Sequence, residues 1–261
     1  MPAERYDIIG KSYNTTRRAD PYIAEKIYQL LSPRSSGLYL EIGCGTANYL
    51  TALSQRGLQF IGVDPSEVML QQARSKKAGA KFVQASAENL SFDNAYFDGA
   101  TAILTMHHWQ NIYEGLKELH RVLKPGTHLV CFSFTPQQLR GYWLHYYFPK
   151  MIERSMLSIP EWGRMEILFV SAGFKELITE PYFVREDLQD HFLYSHKFMP
   201  EKYLDQSVRD NISSFAAFSD SDEVSTGLIN LEADITSGKI KQVIDQYQND
   251  LGDYLFITAI A

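Results

Sequence analysis

The sequence predicts an α/β fold: a parallel sheet with helices on both faces, carrying a nucleotide-type cofactor site at its first strand-to-helix turn. Three observations predict it. Short apolar runs alternate with amphipathic stripes through the first half of the chain. The run Leu38 to Ile42 passes into a helical stretch through Glu41-Ile42-Gly43-Cys44-Gly45-Thr46-Ala47, whose glycines allow a tight turn with the backbone pressed against a ligand. Asp64 closes the second apolar run, the place in a βαβ unit from which an acidic side chain accepts hydrogen bonds from a ribose.

Taken in order, Tyr22, Ile23, Ile27, Leu30 and Leu31 keep helical spacing, and Ser32 to Gly37 breaks the pattern. The first strand follows, then a helix over Ala47 to Ser54. The second strand, Gln59 to Val63, delivers Asp64, and Ser66 caps a helix carrying Val68, Met69, Leu70 and Ala73. Lys81 to Gln84 is a third strand, and Phe97 to Leu104 a fourth. Ile112, Leu116, Leu119, Val122 and Leu123 form an amphipathic helix that stops at Lys124-Pro125-Gly126, and His128 to Phe134 is the fifth strand.

The second half is less regular. Tyr142 to Phe148 is rich in aromatic residues, which wall an apolar pocket or form the interior of a lobe, with the interior the better default. Met165, Leu168, Phe169 and Ala172 make another helical stripe, and Glu176 to Val184 and Tyr254 to Ile260 read as late strands. Between these strands, helical patterning runs over Tyr203 to Phe218 and Val224 to Tyr247. A segment of that length is too long for a loop and predicts an inserted helical cap over about residues 185–252. The expected organisation is a cofactor-binding core with its amino-terminal arm over residues 1–135, a cap and substrate region over 136–252 that includes late core elements, and a final core strand over 253–261.

Composition narrows the function. A net charge of −6, with no compensating Lys/Arg run, leaves no electrostatic footprint for nucleic acid and favours a small-molecule or protein substrate. No stretch approaches the length of a membrane span, and no apolar segment follows a basic one at the start. The two cysteines, Cys44 and Cys131, suggest neither a disulfide framework nor a zinc cluster, which fits a cytoplasmic protein. A metal site at His191 and His196 is not expected, since positions five apart on a helix differ by about 140°. The oligomeric state is left open.

The glycine loop also argues against a dinucleotide. That fingerprint needs a third glycine for close approach to a pyrophosphate, and here the position is Asn48. An acid two places before the first glycine suits a ligand carrying an amino group better than a diphosphate. S-adenosyl-L-methionine has such an ammonium, with a sulfonium, a ribose and no phosphate.

The order E-x-G-x-G-T-A from Glu41, Asp64, Ala87-Glu88-Asn89-Leu90-Ser91-Phe92, Phe97-Asp98, His107-His108 and Arg121 to Gly126 resembles the class I S-adenosylmethionine-dependent methyltransferases. It is most similar to the small-molecule branch, methyltransferase type 11, that includes ubiquinone and menaquinone biosynthesis enzymes and methyltransferases assigned to natural-product pathways. The motifs cover roughly residues 38–134, and Tyr6 to Gly10 with Tyr13 and Arg17 extends the resemblance into the amino-terminal arm. It implies a Rossmann-like seven-stranded sheet and a methyl-transferring enzyme. Glu41 would face the cofactor's amino group, with Gly43 and Gly45 giving it their backbones. Asp64 would accept from the ribose, Met69 would lie near the adenine, and Ser86, Ala87 and Glu88 would fall in the turn that reads the adenine edge. Ile103 would offer a carbonyl to the ammonium. Tyr13 and Arg17 would close over the cofactor, Arg17 near its carboxylate.

Two positions depart from the family. Ala47 stands where glycine is usual, a methyl accommodated where its φ is negative. Ser86 stands where aspartate is usual and accepts a weaker hydrogen bond from the adenine amino group. Of the neighbouring histidines, at most one is expected to face the methyl group, with His107 the nearer to the cofactor. Methyl transfer from a sulfonium needs placement first and a general base only where the nucleophile must lose a proton. His107, His108 and His145 are the candidates, and the sequence does not choose among them. The Asn/Asp-Pro-Pro-aromatic motif of enzymes that methylate nucleobase amines is missing. The expectation is methyl transfer to a small molecule; the alternatives are a non-catalytic S-adenosylmethionine-binding protein and an NAD-type oxidoreductase, the latter requiring a glycine-like residue at Asn48.

Overall fold

The computed structural model of the chain describes residues 17–76 and 79–261. Asp20 caps helix α1 (Pro21–Leu31), its Oδ1 accepting from the Tyr22 and Ile23 amides at 3.0 Å each, while Pro21 supplies a pre-set first turn. Then follow β1 (Leu38–Ile42), α2 (Asn48–Ser54), β2 (Gln59–Asp64), α3 (Glu67–Ser75) and β3 (Lys81–Gln84). Next come β4 (Ala100–Ile103), a single 3₁₀ turn at Met106–His108, α4 (Ile112–Val122) and β5 (His128–Ser133). Ser66 caps α3 and Asn111 caps α4 through side-chain oxygens.

The seven strands form one sheet in the order β3-β2-β1-β4-β5-β7-β6, with β6 (Leu177–Tyr182) at an edge and β7 (Tyr254–Ile260) beside β5. Strands β1 to β5 pair in parallel, whereas β7 runs antiparallel to β5, His128 opposite Ile260 and Ser133 opposite Leu255. The sheet is therefore mixed rather than parallel throughout. Helices join β1 to β2, β2 to β3 and β4 to β5 as parallel crossovers, whereas β3 passes to β4 through residues 85–99 without a helix. Pro181 is tolerated in β6 because an edge strand has an unpaired side. The fourth strand is shorter than Phe97 to Leu104: Phe97 makes only an isolated bridge to Leu123, and Leu104 has φ +48, which ends the extended run.

The chain divides into two compact units. The first comprises residues up to Ser133, with Gly163–Glu180 and Leu255–Ala261, and so takes in helix α8 (Trp162–Ala172) almost whole. Its core is the sheet, where Tyr39, Leu40, Val63, Phe97, Leu129 and Phe132 have no exposed surface.

The second unit, Phe134–Trp162 and Pro181–Tyr254, is helical. It holds α5 (Pro136–Arg140), α6 (Leu144–Tyr147), α7 (Pro149–Met156), α9 (Gln206–Arg209), α10 (Ser213–Phe218), α11 (Ser221–Ser237) and α12 (Ile240–Gln246). The patterning expected to run unbroken over Val224 to Tyr247 is split at Gly238, whose φ of +78 ends α11 in a left-handed cap. The aromatic run packs as an interior: Trp143 and Phe148 are wholly buried, and Tyr142 stacks on Tyr194 with centroids 3.9 Å apart. Polar atoms there find partners. The Trp143 indole donates to the Lys197 carbonyl at 3.0 Å, the Tyr203 hydroxyl to the Leu193 carbonyl at 2.7 Å, and the Tyr147 hydroxyl to Asp234 at 3.0 Å.

His191 and His196 lie in this unit, and the helical separation expected of them does not hold. Residues 193–198 form turns, not a helix, and the two rings come within 4.8 Å of each other. Among the described residues no three side chains of metal-ligating type converge.

Candidate cofactor site

The strand order reverses between β1 and β4, and in an open α/β sheet that switch point leaves a crevice at the carboxyl ends of the strands. Register brings the expected residues to that end of the first unit. Ile42 pairs with Val63 and with Ala102, one residue short of Ile103, and Asp64 pairs with Gln84, two residues short of Ser86.

The loop after β1 is built by its glycines. Gly43 has φ +64, and a Cβ there would fall 1.9 Å from the Thr105 hydroxyl, so no other residue fits between this loop and the one after β4. Gly45 has φ +51, and apart from its chain neighbours no atom of the described residues lies within 4 Å of where a Cβ would sit. Ala47 does not take the negative φ expected of it. At φ +60 it is left-handed, a conformation costing a residue with a Cβ about 1 to 2 kcal/mol, which is why glycine suits this position.

Asp64 draws the loop to β2. Its Oδ2 accepts from the Gly45 amide at 2.8 Å and its Oδ1 from the Ser66 amide at 2.9 Å, leaving further lone pairs on each oxygen. Burial pushes its proton affinity up, and the two amides pull it down. Glu41 is 3% exposed, and its Oε2 has no hydrogen-bond partner among the described residues. Burial first, and the nearby Asp64 charge second among the raising effects, push its carboxyl up to about 8, against the Leu50 amide and Lys76, which lower it. A buried carboxylate with a bare oxygen is costly unless a cation or donor completes it.

Met69 is buried on α3, its amide bonded to the Ser66 hydroxyl at 3.3 Å. Ala87 packs with Trp109 against Gly115, where a Cβ would meet the indole at 2.7 Å and the Ala87 methyl at 3.3 Å. Glu88 plays a structural part, since its Oε1 accepts from the Gln110 and Asn111 amides at 2.7 and 3.2 Å and so fixes the segment that leads into α4. Ile103 ends β4, buried.

The His107 and His108 rings lie 3.8 Å apart, centroid to centroid, within the 3₁₀ turn. Burial, with the Arg17 charge adding, pushes His107 down to about 3; burial and His107 push His108 down too, so both rings are neutral near pH 7. The Arg17 carbonyl accepts from the Asn48 side chain at 3.0 Å. His145 belongs to the second unit, its ring 6.4 Å from that of Tyr247. Tyr13 lies outside the described residues.

Sequence reasoning missed Lys76, just past α3. Its Nζ reaches Asn48 Oδ1 at 2.5 Å and Thr46 Oγ1 at 3.2 Å. No spacing or motif signals that reach.

A buried acid with a bare oxygen, a glycine open on one side and an acid at the end of β2 fit a ligand with an ammonium and a ribose. A Rossmann-like sheet holding such a site defines a nucleoside-cofactor enzyme. Comparison with known proteins names the class. The family profile described as "Methyltransferase domain" matches residues 40–131. A solved methyltransferase assigned to an antibiotic biosynthesis pathway of Anabaena variabilis is 30% identical, with 94% of this chain and 99% of that one covered and a TM-score of 0.84. Demethylmenaquinone methyltransferase of Staphylococcus epidermidis is 29% identical over 169 residues, 55% of this chain and 70% of that protein. Phthiotriol/phenolphthiotriol dimycocerosates methyltransferase of Mycobacterium leprae is 37% identical over 108 residues, 40% of each. The chain belongs to the class I S-adenosylmethionine-dependent methyltransferases, in the branch similar to the ubiquinone and menaquinone enzymes. It is an S-adenosylmethionine-dependent methyltransferase, and no described helix is long and apolar enough to cross a membrane.

Proposed function

We propose that this enzyme methylates a small, partly apolar molecule at an oxygen, carbon or nitrogen atom. Relatives named for demethylmenaquinone and for phthiotriol and phenolphthiotriol dimycocerosates support an acceptor of that kind. The net charge of −6 speaks against a nucleic acid.

The observation that carries the assignment of the site is the bare, buried Oε2 of Glu41. In this reading Glu41 takes the cofactor's ammonium with the Ile103 carbonyl, Gly43 and Gly45 lie against its methionine part, and Asp64 accepts from the ribose. Met69, Ser86 and Ala87 border the adenine. Glu88 acts there through the segment it pins, and Arg17 and His107 border the cofactor on the side of the turn after β4.

S-adenosylmethionine supplies a methyl group on a sulfonium, already activated as a leaving group. The chain must align the nucleophile with that bond and exclude water, and orientation of this kind contributes roughly 7 to 11 kcal/mol. His107, pushed down to about 3, is a weak proton acceptor, so the His107–His108 pair serves as a neutral wall and hydrogen-bonding surface rather than as the general base. An acceptor that ionises readily, a phenol or quinol, needs no base from the His107–His108 pair, whereas an alcohol does.

The test is transfer of a labelled methyl group to phenols, quinone precursors and amines. Transfer to at least one class is expected, phenols before amines. A protein that binds S-adenosylhomocysteine yet methylates none of them would overturn the small-molecule reading.

A further inference from the structure

We infer that Lys76 receives the carboxylate of the cofactor's methionine portion, an assignment that rests on the reading of the Glu41 to Ala47 loop as the cofactor's seat. The ammonium of Lys76 lies across that loop, hydrogen-bonded to Asn48 Oδ1 at 2.5 Å and Thr46 Oγ1 at 3.2 Å. Both acceptors are neutral. An ammonium has three donors, and no carboxylate among the described residues pairs with this one. Lys76 is half-buried, so its charge is partly removed from water, and among the described residues its hydrogen-bond acceptors are neutral oxygens. Burial lowers its proton affinity, and the more distant Glu41 offsets part of that loss.

The methionine end of the cofactor is a zwitterion, and the loop offers one partner of each sign. Glu41 and Asp64 suit the ammonium and the ribose; neither suits a carboxylate. Lys76 is the cation bound into the loop's own hydrogen bonds. Arg17, assigned to the carboxylate by resemblance, stands differently: its carbonyl is on Asn48 Nδ2 at 3.0 Å, and its charge is felt by His107.

This assignment accounts for Asn48 in the place of a third glycine. Its amide is bonded on both sides, Nδ2 to Arg17 and Oδ1 to Lys76, so it cannot turn over without breaking both bonds. A glycine would leave the Lys76 ammonium only the longer bond to Thr46 Oγ1. The asparagine that argues against a pyrophosphate is thus the residue that aims a cation at a single carboxylate.

The experiment compares two ligands by calorimetric titration: S-adenosylhomocysteine, and its decarboxylated analogue S-adenosyl-3-thiopropylamine, which keeps the amine and the adenosine. Lys76→Met is expected to weaken S-adenosylhomocysteine by about tenfold or more, the loss of one charged hydrogen bond, and to change the analogue by less than about twofold. Lys76→Arg is expected to retain most of the preference for the carboxylate-bearing ligand. Equal weakening of both ligands would make Lys76 a brace for the loop and overturn the assignment, as would unchanged binding of both. A wild-type protein that binds neither would overturn the reading of the loop itself.

Discussion

Glu41 in the sheet unit and Asp253 in the helical unit are equally buried acids with opposite surroundings. Asp253, 5% exposed, has both oxygens 2.9 Å from the Lys197 ammonium, and its Oδ2 also accepts from the Val184 amide at 2.7 Å. Glu41, 3% exposed, has one oxygen without a hydrogen-bond partner among the described residues. A buried charge that the protein completes holds architecture together. Glu41, whose carboxyl is raised to about 8, is instead an acid that no described residue completes, which makes it a candidate place for a ligand's cation. The contrast is between two acids rather than two units: the helical unit is stitched by Asp253 and by Asp234 with Tyr147 and Lys239, yet His196 Nδ1 and Nε2 there also lack hydrogen-bond partners among the described residues.

Four measurements can break this contrast. The largest effect is expected at Asp253→Asn, which leaves the Lys197 ammonium without its counter-charge and costs about 3 kcal/mol of stability. Thermal melting should show the loss, with S-adenosylhomocysteine affinity unchanged; an unaltered melting temperature would mean that the pair does not hold the helical unit.

Next is the pH dependence of Glu41. Its carboxyl is raised to about 8 in the folded protein, so the folded state holds this proton more tightly than the unfolded chain. The resulting stability is complete below the unfolded carboxylate value and is lost as pH rises through about 8. Wild type should therefore lose roughly 2 kcal/mol relative to Glu41→Gln between about pH 6 and pH 9. Parallel melting curves of the two proteins would show that Glu41 is not desolvated.

Asp64→Ala should weaken S-adenosylhomocysteine by about 1 to 3 kcal/mol with the fold retained, part of the loss arising from the released Gly45 amide. Unchanged affinity would put the ribose elsewhere. The smallest effect is Ala47→Gly, which relieves the left-handed alanine but adds freedom to the unfolded chain; a net gain of about 0.5 to 1 kcal/mol in chemical denaturation is expected. A loss would show that the Ala47 methyl is needed.

The two regions also differ in how far they can be read from sequence. Strands β1 and β2, the glycine turn and Asp64 are legible because strand burial, φ > 0 and an acid at a strand end each restrict residue type locally. What depends on three-dimensional closure is not. The Lys76 ammonium reaches Asn48 and Thr46 from the end of a different helix, and Glu88 Oε1 accepts from the Gln110 and Asn111 amides more than 20 residues on. The positive φ of Ala47 defies the usual preference of its residue type. In the helical unit, the face-counting that separated His191 from His196 assumed a helix where the chain makes turns. The aromatic run was legible as an interior, but its hydrogen bonds to Lys197 and Leu193 carbonyls were not.

Calorimetric titration of S-adenosylhomocysteine into Glu41→Gln beside the wild type, at pH 7 and above the Glu41 pKa, tests most directly the claim that the incomplete buried acid is the cofactor's anchor. The variant is expected to be folded and to bind about tenfold or more weakly, and the wild type to gain affinity with rising pH while the variant does not. A folded variant that matched the wild type at both pH values would contradict the account.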